Sequence, residues 1–178
     1  MASLSKPIVL VGLMGAGKST IGIRLGQALK LPFVDSDSEI EESAGCSISD
    51  LFAIYDEDIF RDLEKRVIKR LLGTQDQILA TGGGAYMQAP IREMVSKKAF
   101  TIWLRADLDV LLERVNRRDT RPLLAKGNKR KILSKLIKER YPIYEQADMI
   151  VDSGTGAHEI VVKTIVKRLK KEQPDLFT

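Results

Sequence analysis

The residues with the most chemistry in their spacing run from Gly12 to Thr20. They read Gly12-Leu13-Met14-Gly15-Ala16-Gly17-Lys18-Ser19-Thr20 and satisfy the pattern G-x-x-x-x-G-K-[ST] in full. Glycines at this spacing let successive backbone N–H groups converge on phosphate oxygens with no Cβ in the way. A helix opening at Lys18 directs the positive end of its dipole at the same anion. In such a loop Gly15, Ala16, Gly17 and Thr20 form the cradle, Lys18 reaches the β- and γ-phosphates, and the Ser19 hydroxyl ligates Mg²⁺. The ligand implied is a purine nucleoside triphosphate, by default ATP. A glycine-rich turn that merely punctuates the chain has no need of the buried strand before it and the helix after it.

A second set of residues suggests what else meets that phosphate. Loops of this kind often draw a metal-supporting Asp from the end of a later strand, but here the third strand ends in Thr81-Gly82-Gly83-Gly84. The acidic partner of Mg²⁺ is therefore expected at the end of the second strand, at Asp35, with Asp37 beside it, because carboxyl ends of parallel strands gather around one crevice. An Asp-Ser-Asp run is also an ordinary helix cap and turn. Three consecutive glycines at the crevice imply that a ligand approaches the backbone closely. Arg61 and Glu64, at i and i+3 of a helix, share a face and form an orienting pair, and the planar fork of Arg suits a carboxylate. Arg121, before Pro122 in the irregular and strongly basic stretch 119–130, reads as the arginine of a mobile, water-excluding lid. Cys46 and His158 join no recognisable constellation.

The elements that must hold these residues alternate along the chain. Ile8 to Val11 reads as a buried strand, and Lys18 to Lys30 as a helix with Ile21, Leu25, Ala28 and Leu29 on one face. Phe33 and Val34 form a brief second strand ending at Asp35. Ser47 with Asp50 three residues on marks a helix start. Asp58 to Leu72 is the clearest helix, with Ile59, Leu63, Val67 and Leu71 at fourfold spacing. Strands are expected at Ile78 to Ala80, Phe100 to Leu104 and Met149 to Val151, and helices after Pro90, at Leu108 to Val115 and at Glu159 to Leu169. Helices between strands imply right-handed crossovers and a parallel sheet covered on both faces.

Composition narrows the class further. The 178 residues are 44% hydrophobic and 30% charged, which suits one globular domain. No apolar run approaches the roughly 20 residues needed to span a bilayer, and the start of the chain has no signal-peptide core, so a cytoplasmic protein is expected. One Cys and one His exclude an internal disulfide and a zinc cluster. The net charge of +5 is concentrated at Lys126, Lys129, Arg130, Lys131 and Lys135 and again from Lys163 to Lys171. Such runs are mostly solvated helix faces, and no aromatic residues interleave them as a single-strand stacking platform would require.

Taken in order, Gly12 to Thr20, Asp35-Ser36-Asp37, Phe60-Arg61-x-x-Glu64, Gly82-Gly83-Gly84, Arg121-Pro122-Leu123-Leu124, and Arg140 followed by Pro142 and Tyr144 resemble the shikimate kinase family from about Ile8 to Leu169. The resemblance implies transfer of the ATP γ-phosphoryl group to the 3-hydroxyl of shikimate, in chorismate and aromatic amino-acid biosynthesis, with Mg²⁺. It implies an α/β P-loop NTPase fold: a five-stranded parallel sheet in the order 2-3-1-4-5, helices on both faces and a mobile lid. A single kinase domain over 1–178 is expected, with a core of about 8–170, a substrate-binding region of about 35–62 and a lid of about 117–131. The resemblance places Asp37 at the shikimate hydroxyls, Arg61 and Arg140 on its carboxylate, and Gly82, Gly83 and Gly84 against it, with Gly83 offering a backbone contact. It puts Glu64 behind the arginines, Arg121 on the phosphates and Arg114 along the adenine. A monomer acting on ATP and shikimate, without nucleic acid or membrane, follows. Two other readings stay open on the residues alone: a P-loop kinase for gluconate or a nucleoside monophosphate, and a P-loop ATPase that engages nucleic acid through its basic clusters.

Overall fold

Ile8–Val11 forms β1, and all four side chains are buried, as befits a central parallel strand sandwiched between helices. The computed structural model describes residues 3–117 and 127–178. Along it follow α1 (Lys18–Leu29), β2 (Phe33–Asp35), α2 (Ser36–Ala44), α3 (Ile48–Ile54), α4 (Glu57–Leu71), β3 (Ile78–Ala80), α5 (Ala89–Lys98) and β4 (Phe100–Arg105). The chain continues with α6 (Leu108–Asn116), α7 (Lys129–Tyr144), β5 (Met149–Asp152) and α8 (His158–Glu172). The five strands make one sheet in the order 2-3-1-4-5, parallel at every pairing. Leu10 and Asp35 both stand opposite Ala80, so the carboxyl ends of β1, β2 and β3 lie side by side. That register sets Gly12, Asp35 and Gly82 around one crevice.

Several elements differ in detail from the sequence pattern. In α1 the buried face is Ile21, Gly22, Leu25, Gly26 and Leu29, while Ala28 is exposed. The chain entering β2 lies too close for side chains here: a methyl group on Gly22 would overlap the Phe33 ring, and one on Gly26 would meet the Leu31 carbonyl at 2.7 Å. In α4 the buried stripe is Phe60, Glu64, Val67, Ile68 and Leu71, so Ile59 is half exposed and a carboxylate holds a core-facing position. The Ser47–Asp50 capping box opens α3 as expected. Helix α7 has no counterpart in the sequence reading: five basic residues crowd its first ten positions, and Pro142 sits in its last turn. It forms because Asn128 caps it, accepting from the Lys131 N–H at 3.2 Å, and because Leu133 and Tyr144 are buried beneath it. Pro142 deletes the bond that an N–H there would make to the Lys138 carbonyl, and the last turn is held instead by the burial of Tyr144 two residues on.

The expected lid, with Arg121, falls mostly outside the described residues; of its range, Lys129, Arg130 and Lys131 belong to the first turn of α7. Lys163, Lys167, Lys170 and Lys171 lie on the exposed side of α8, whose buried side is Val161, Val162, Ile165 and Leu169. Among the described residues no helix is long and apolar enough to cross a membrane.

Candidate active site

The loop from Gly12 to Gly17 depends on backbone angles that only glycine adopts readily. Gly15 and Gly17 have φ of 81° and 94°, and Gly17 leads directly into α1. No side chain caps α1 and its first turn carries no acidic residue, the condition under which a helix start can receive an anion. The Ala16 N–H donates to Leu13 O at 3.1 Å, and Lys18 Nζ donates to Gly12 O at 2.7 Å and Leu13 O at 3.0 Å. The Ser19 hydroxyl donates to Asp35 Oδ2 at 2.9 Å, while Asp35 Oδ1 accepts the Asp37 N–H at 3.0 Å. Asp35 is thus both the cap of α2 and the partner of the loop serine. The capping reading of the Asp-Ser-Asp run is seen, and the same carboxylate also reaches the loop serine.

Behind the loop, one arginine ties the nucleotide side together. Arg114 on α6 donates through one terminal nitrogen to Gly15 O, Ala16 O and the Ser153 hydroxyl, and through the other to Gly154 O at 2.5 Å. Ser153, fully buried after β5, donates in turn to Ala16 O at 2.7 Å. Burial lowers the Arg114 pKa. Arg114 therefore braces the phosphate loop and the loop after β5, besides bordering the cleft. Nothing in the sequence marked Ser153 for this work.

On the far side of the crevice, Gly82, Gly83 and Gly84 are crowded by side chains from three helices. A methyl group on Gly82 would lie 2.7 Å from Asp37 Oδ1 and 3.1 Å from Glu64 Oε1. One on Gly83 would meet an Arg140 guanidinium nitrogen at 3.3 Å, and one on Gly84 both terminal nitrogens of Arg61 at 2.9 Å. The triple glycine is the hub on which α2, α4 and α7 converge. Glu64 is buried and accepts from Arg61 at 2.8 Å and from Gln88 at 2.6 Å. Burial pushes its carboxyl up, with Arg61, Gln88 and Arg140 holding it back in part. Burial by itself would lower the Arg61 pKa; Glu64 and Glu57 outweigh that and leave it raised. The buried Ser36 hydroxyl accepts the Gly82 N–H at 3.1 Å, and the buried Tyr144 hydroxyl donates to Gly83 O.

An open cleft of about 250 Å³ runs along these groups and is lined by Gly15, Gly17, Lys18, Ser19, Thr20, Asp35, Asp37, Gly82, Gly83 and Arg114. Ala16 is buried within the loop instead. Gly84, in the turn, and Arg61, Glu64 and Arg140, packed against the turn, lie outside the cleft lining. Arg117 and His158 also line the cleft, which the sequence did not suggest. The ring of His158 lies against Gly17: a methyl group there would meet its Nε2 at 3.5 Å.

A phosphate loop on a sheet in the order 2-3-1-4-5, beside a glycine turn crowded by Asp37, Arg61, Glu64 and Arg140, is the arrangement of a small-molecule P-loop kinase. A family model described as "Shikimate kinase" matches residues 14–170. Shikimate kinase of Rhizobium meliloti (strain 1021) is 50% identical over 93% of this chain and 86% of its own. The Caulobacter vibrioides enzyme is 47% identical over 94% of this chain and 84% of its own. The solved structure of Acinetobacter baumannii shikimate kinase in complex with shikimate is 36% identical, with a TM-score of 0.90 over 94% of each chain. The chain belongs to the shikimate kinase family, and its reaction is the ATP-dependent phosphorylation of shikimate.

Proposed function

We propose that the crevice between the phosphate loop and the glycine turn is where the γ-phosphoryl group of ATP passes to the 3-hydroxyl of shikimate. The observation that carries this reading is the crowding of Gly82, Gly83 and Gly84 by Asp37, Arg140 and Arg61, beside a cleft shared with Lys18 and Ser19. Arg61 and Arg140 hold the acceptor carboxylate, for which the guanidinium fork is suited. Asp37 orients the acceptor hydroxyl and is placed to take its proton. Lys18 exchanges its carbonyl partners for phosphate oxygens and meets the charge that develops on them. Glu64 keeps Arg61 in its working rotamer. Arg114 supports the nucleotide side, and Arg121, outside the described residues, is assigned from its place in the sequence to the phosphates.

The donor set suits Mg²⁺. Ser19 and Asp35 supply two hard oxygen ligands, directly or through water, and among the described residues no group of three His, Cys, Asp or Glu forms a cage. That is the pattern for an ion carried mainly by the nucleotide phosphates, and bound there it neutralises charge on the transferring group. The enzyme is read as a single domain and a cytoplasmic monomer, with ATP and shikimate as partners and neither nucleic acid nor membrane. Gel filtration checks the monomer.

The deciding experiment is coupled ADP release with ATP, Mg²⁺ and shikimate, beside a no-acceptor control and a panel including gluconate and nucleoside monophosphates. Shikimate-dependent release alone is expected. Release stimulated by nucleic acid and not by shikimate would overturn the assignment.

A further inference from the structure

The glycine turn has a fixed accounting of backbone hydrogen bonds. Gly82 N–H donates to Ser36, Gly82 O accepts from Ala85 N–H, Gly84 O accepts from Met87 N–H, and Gly83 O accepts from the Tyr144 hydroxyl. Among the described residues, the Gly83 and Gly84 N–H groups meet no protein acceptor. The carbonyl of Gly83 and the N–H of Gly84 belong to one planar trans peptide and point in opposite directions. Whatever grips the carbonyl therefore aims the N–H. Between two glycines that peptide is otherwise free to rotate, since neither neighbour restricts φ or ψ.

Tyr144 is well built for such a grip. Its side chain is fully buried at the end of α7, one turn beyond Arg140, and its ring is 5.8 Å from Trp103 and 6.2 Å from Tyr86. Burial pushes its phenol up to about 12, against the partial opposition of Arg140, so the hydroxyl keeps its proton and donates throughout the working pH range. The same helix turn thus carries the arginine on Gly83 and the donor to the Gly83 carbonyl. From this we infer that Tyr144 is a positioning residue for the acceptor: it pins the Gly83–Gly84 peptide so that the Gly84 N–H faces the pocket bounded by Arg61 and Arg140. The inference rests on the acceptor-side assignment above and extends it to a residue with no direct contact to the substrate.

Tyr144→Phe tests it, because the ring and its packing stay while the hydroxyl goes. The loss of one neutral hydrogen bond and the freeing of the peptide should raise the shikimate KM about five- to tenfold. The ATP KM should move less than twofold. The dissociation constant for shikimate, followed by the fluorescence of the single Trp103, should rise in step, and the Gly84 amide resonance should shift. Tyr141→Phe is the control: its hydroxyl also sits on α7 and also donates to a carbonyl, but to that of Ala106. It should lower Tm comparably and leave the shikimate KM alone.

A Tyr144→Phe protein whose two KM values rise alike, or whose Tm falls with the shikimate KM unmoved, overturns the inference. Arg61→Lys is measured alongside. If it raises the shikimate KM and Tyr144→Phe does not, the role of Tyr144 alone fails. If neither variant does, the acceptor pocket has been misassigned and the role of Tyr144 falls with it.

Discussion

The two sides of the crevice are made differently. The nucleotide side is backbone: one contiguous run from Gly12 to Thr20, an uncapped helix start, and carbonyls braced from behind by Arg114 and Ser153. The acceptor side is side chain: Asp37 from α2, Arg61 and Glu64 from α4, and Arg140 and Tyr144 from α7, drawn together only by the fold around three glycines. A triphosphate presents many equivalent oxygens and can be held by repeated N–H groups. A small hydroxylated carboxylate must be told apart from its neighbours by a few directed charges. On the function proposed above, the first side provides what every P-loop protein needs, and the second provides the choice of acceptor.

The sharpest way to break this division is Lys18→Ala. Charge accumulates on the γ-phosphoryl oxygens in the transition state, and Lys18 is the side-chain charge that the loop motif aims at them. Transfer should be nearly abolished in a protein that keeps its circular dichroism and Tm. A folded variant with near-normal turnover would show that the nucleotide side works without its lysine.

Next in size is Asp37→Asn, which leaves the nucleotide side untouched. Base and positioning contributions of such a carboxylate are about 10²–10⁴-fold, so kcat/KM for shikimate should fall at least about a hundredfold, while ATP binding stays within a few-fold. Asp35→Asn, by contrast, should raise the Mg²⁺ concentration needed for half-maximal rate, because Asp35 is tied to Ser19. The same Mg²⁺ defect in both variants would merge the carboxylates into one metal site and blur the boundary between the sides.

How much of each side could be read from the sequence follows from how each is built. The phosphate loop was legible because its chemistry is local, and the strand and helix around it were marked by an apolar run and a 3.6-residue period. The sheet order and the gathering of Asp37, Arg61 and Arg140 at the glycine turn became legible only through the resemblance, since the three residues are scattered over about a hundred positions. Helix α7 was missed because basic residues and Pro142 masked its period, and with it went the i to i+4 relation of Arg140 and Tyr144. In α4 the apolar period finds the buried Val67 and Leu71 but takes Ile59 and Leu63 in place of Phe60 and Glu64, because periodicity rewards apolar residues and one buried position belongs to a carboxylate. Ser153 left no mark, since one serine after a strand looks like any turn.

Arg61→Lys is the next test by expected effect. Arg61 is 28% exposed and its partner Glu64 only 2%, so the pair is largely shielded from water. Lys keeps the charge but not the fork, and truncating a desolvated charge pair costs about 2–5 kcal/mol. The shikimate KM should rise at least about tenfold, with little change in the ATP KM. Equal effects on both would make Arg61 a structural partner of Glu64, not a part of the acceptor side.

The smallest expected effect falls on the nucleotide side, at Ser153→Ala. The substitution deletes the donor to Ala16 O and the hydroxyl that accepts from Arg114, but Arg114 itself still reaches Gly15 O and Ala16 O. One net hydrogen bond is worth about 0.5–1.5 kcal/mol, so the ATP KM should rise roughly two- to tenfold. The loop should loosen without losing its shape, because the positive φ of Gly15 and Gly17 and the lysine clasp are unchanged. The shikimate KM, measured at saturating ATP, should stay within twofold, since the Ser153 hydrogen bonds among the described residues go to Arg105, Arg114 and Ala16 and not to the glycine turn. Initial-rate kinetics with each substrate varied in turn gives both values. A shikimate KM that rises with the ATP KM would mean that strain in the phosphate loop crosses to the glycine turn, and that the two sides work as one unit.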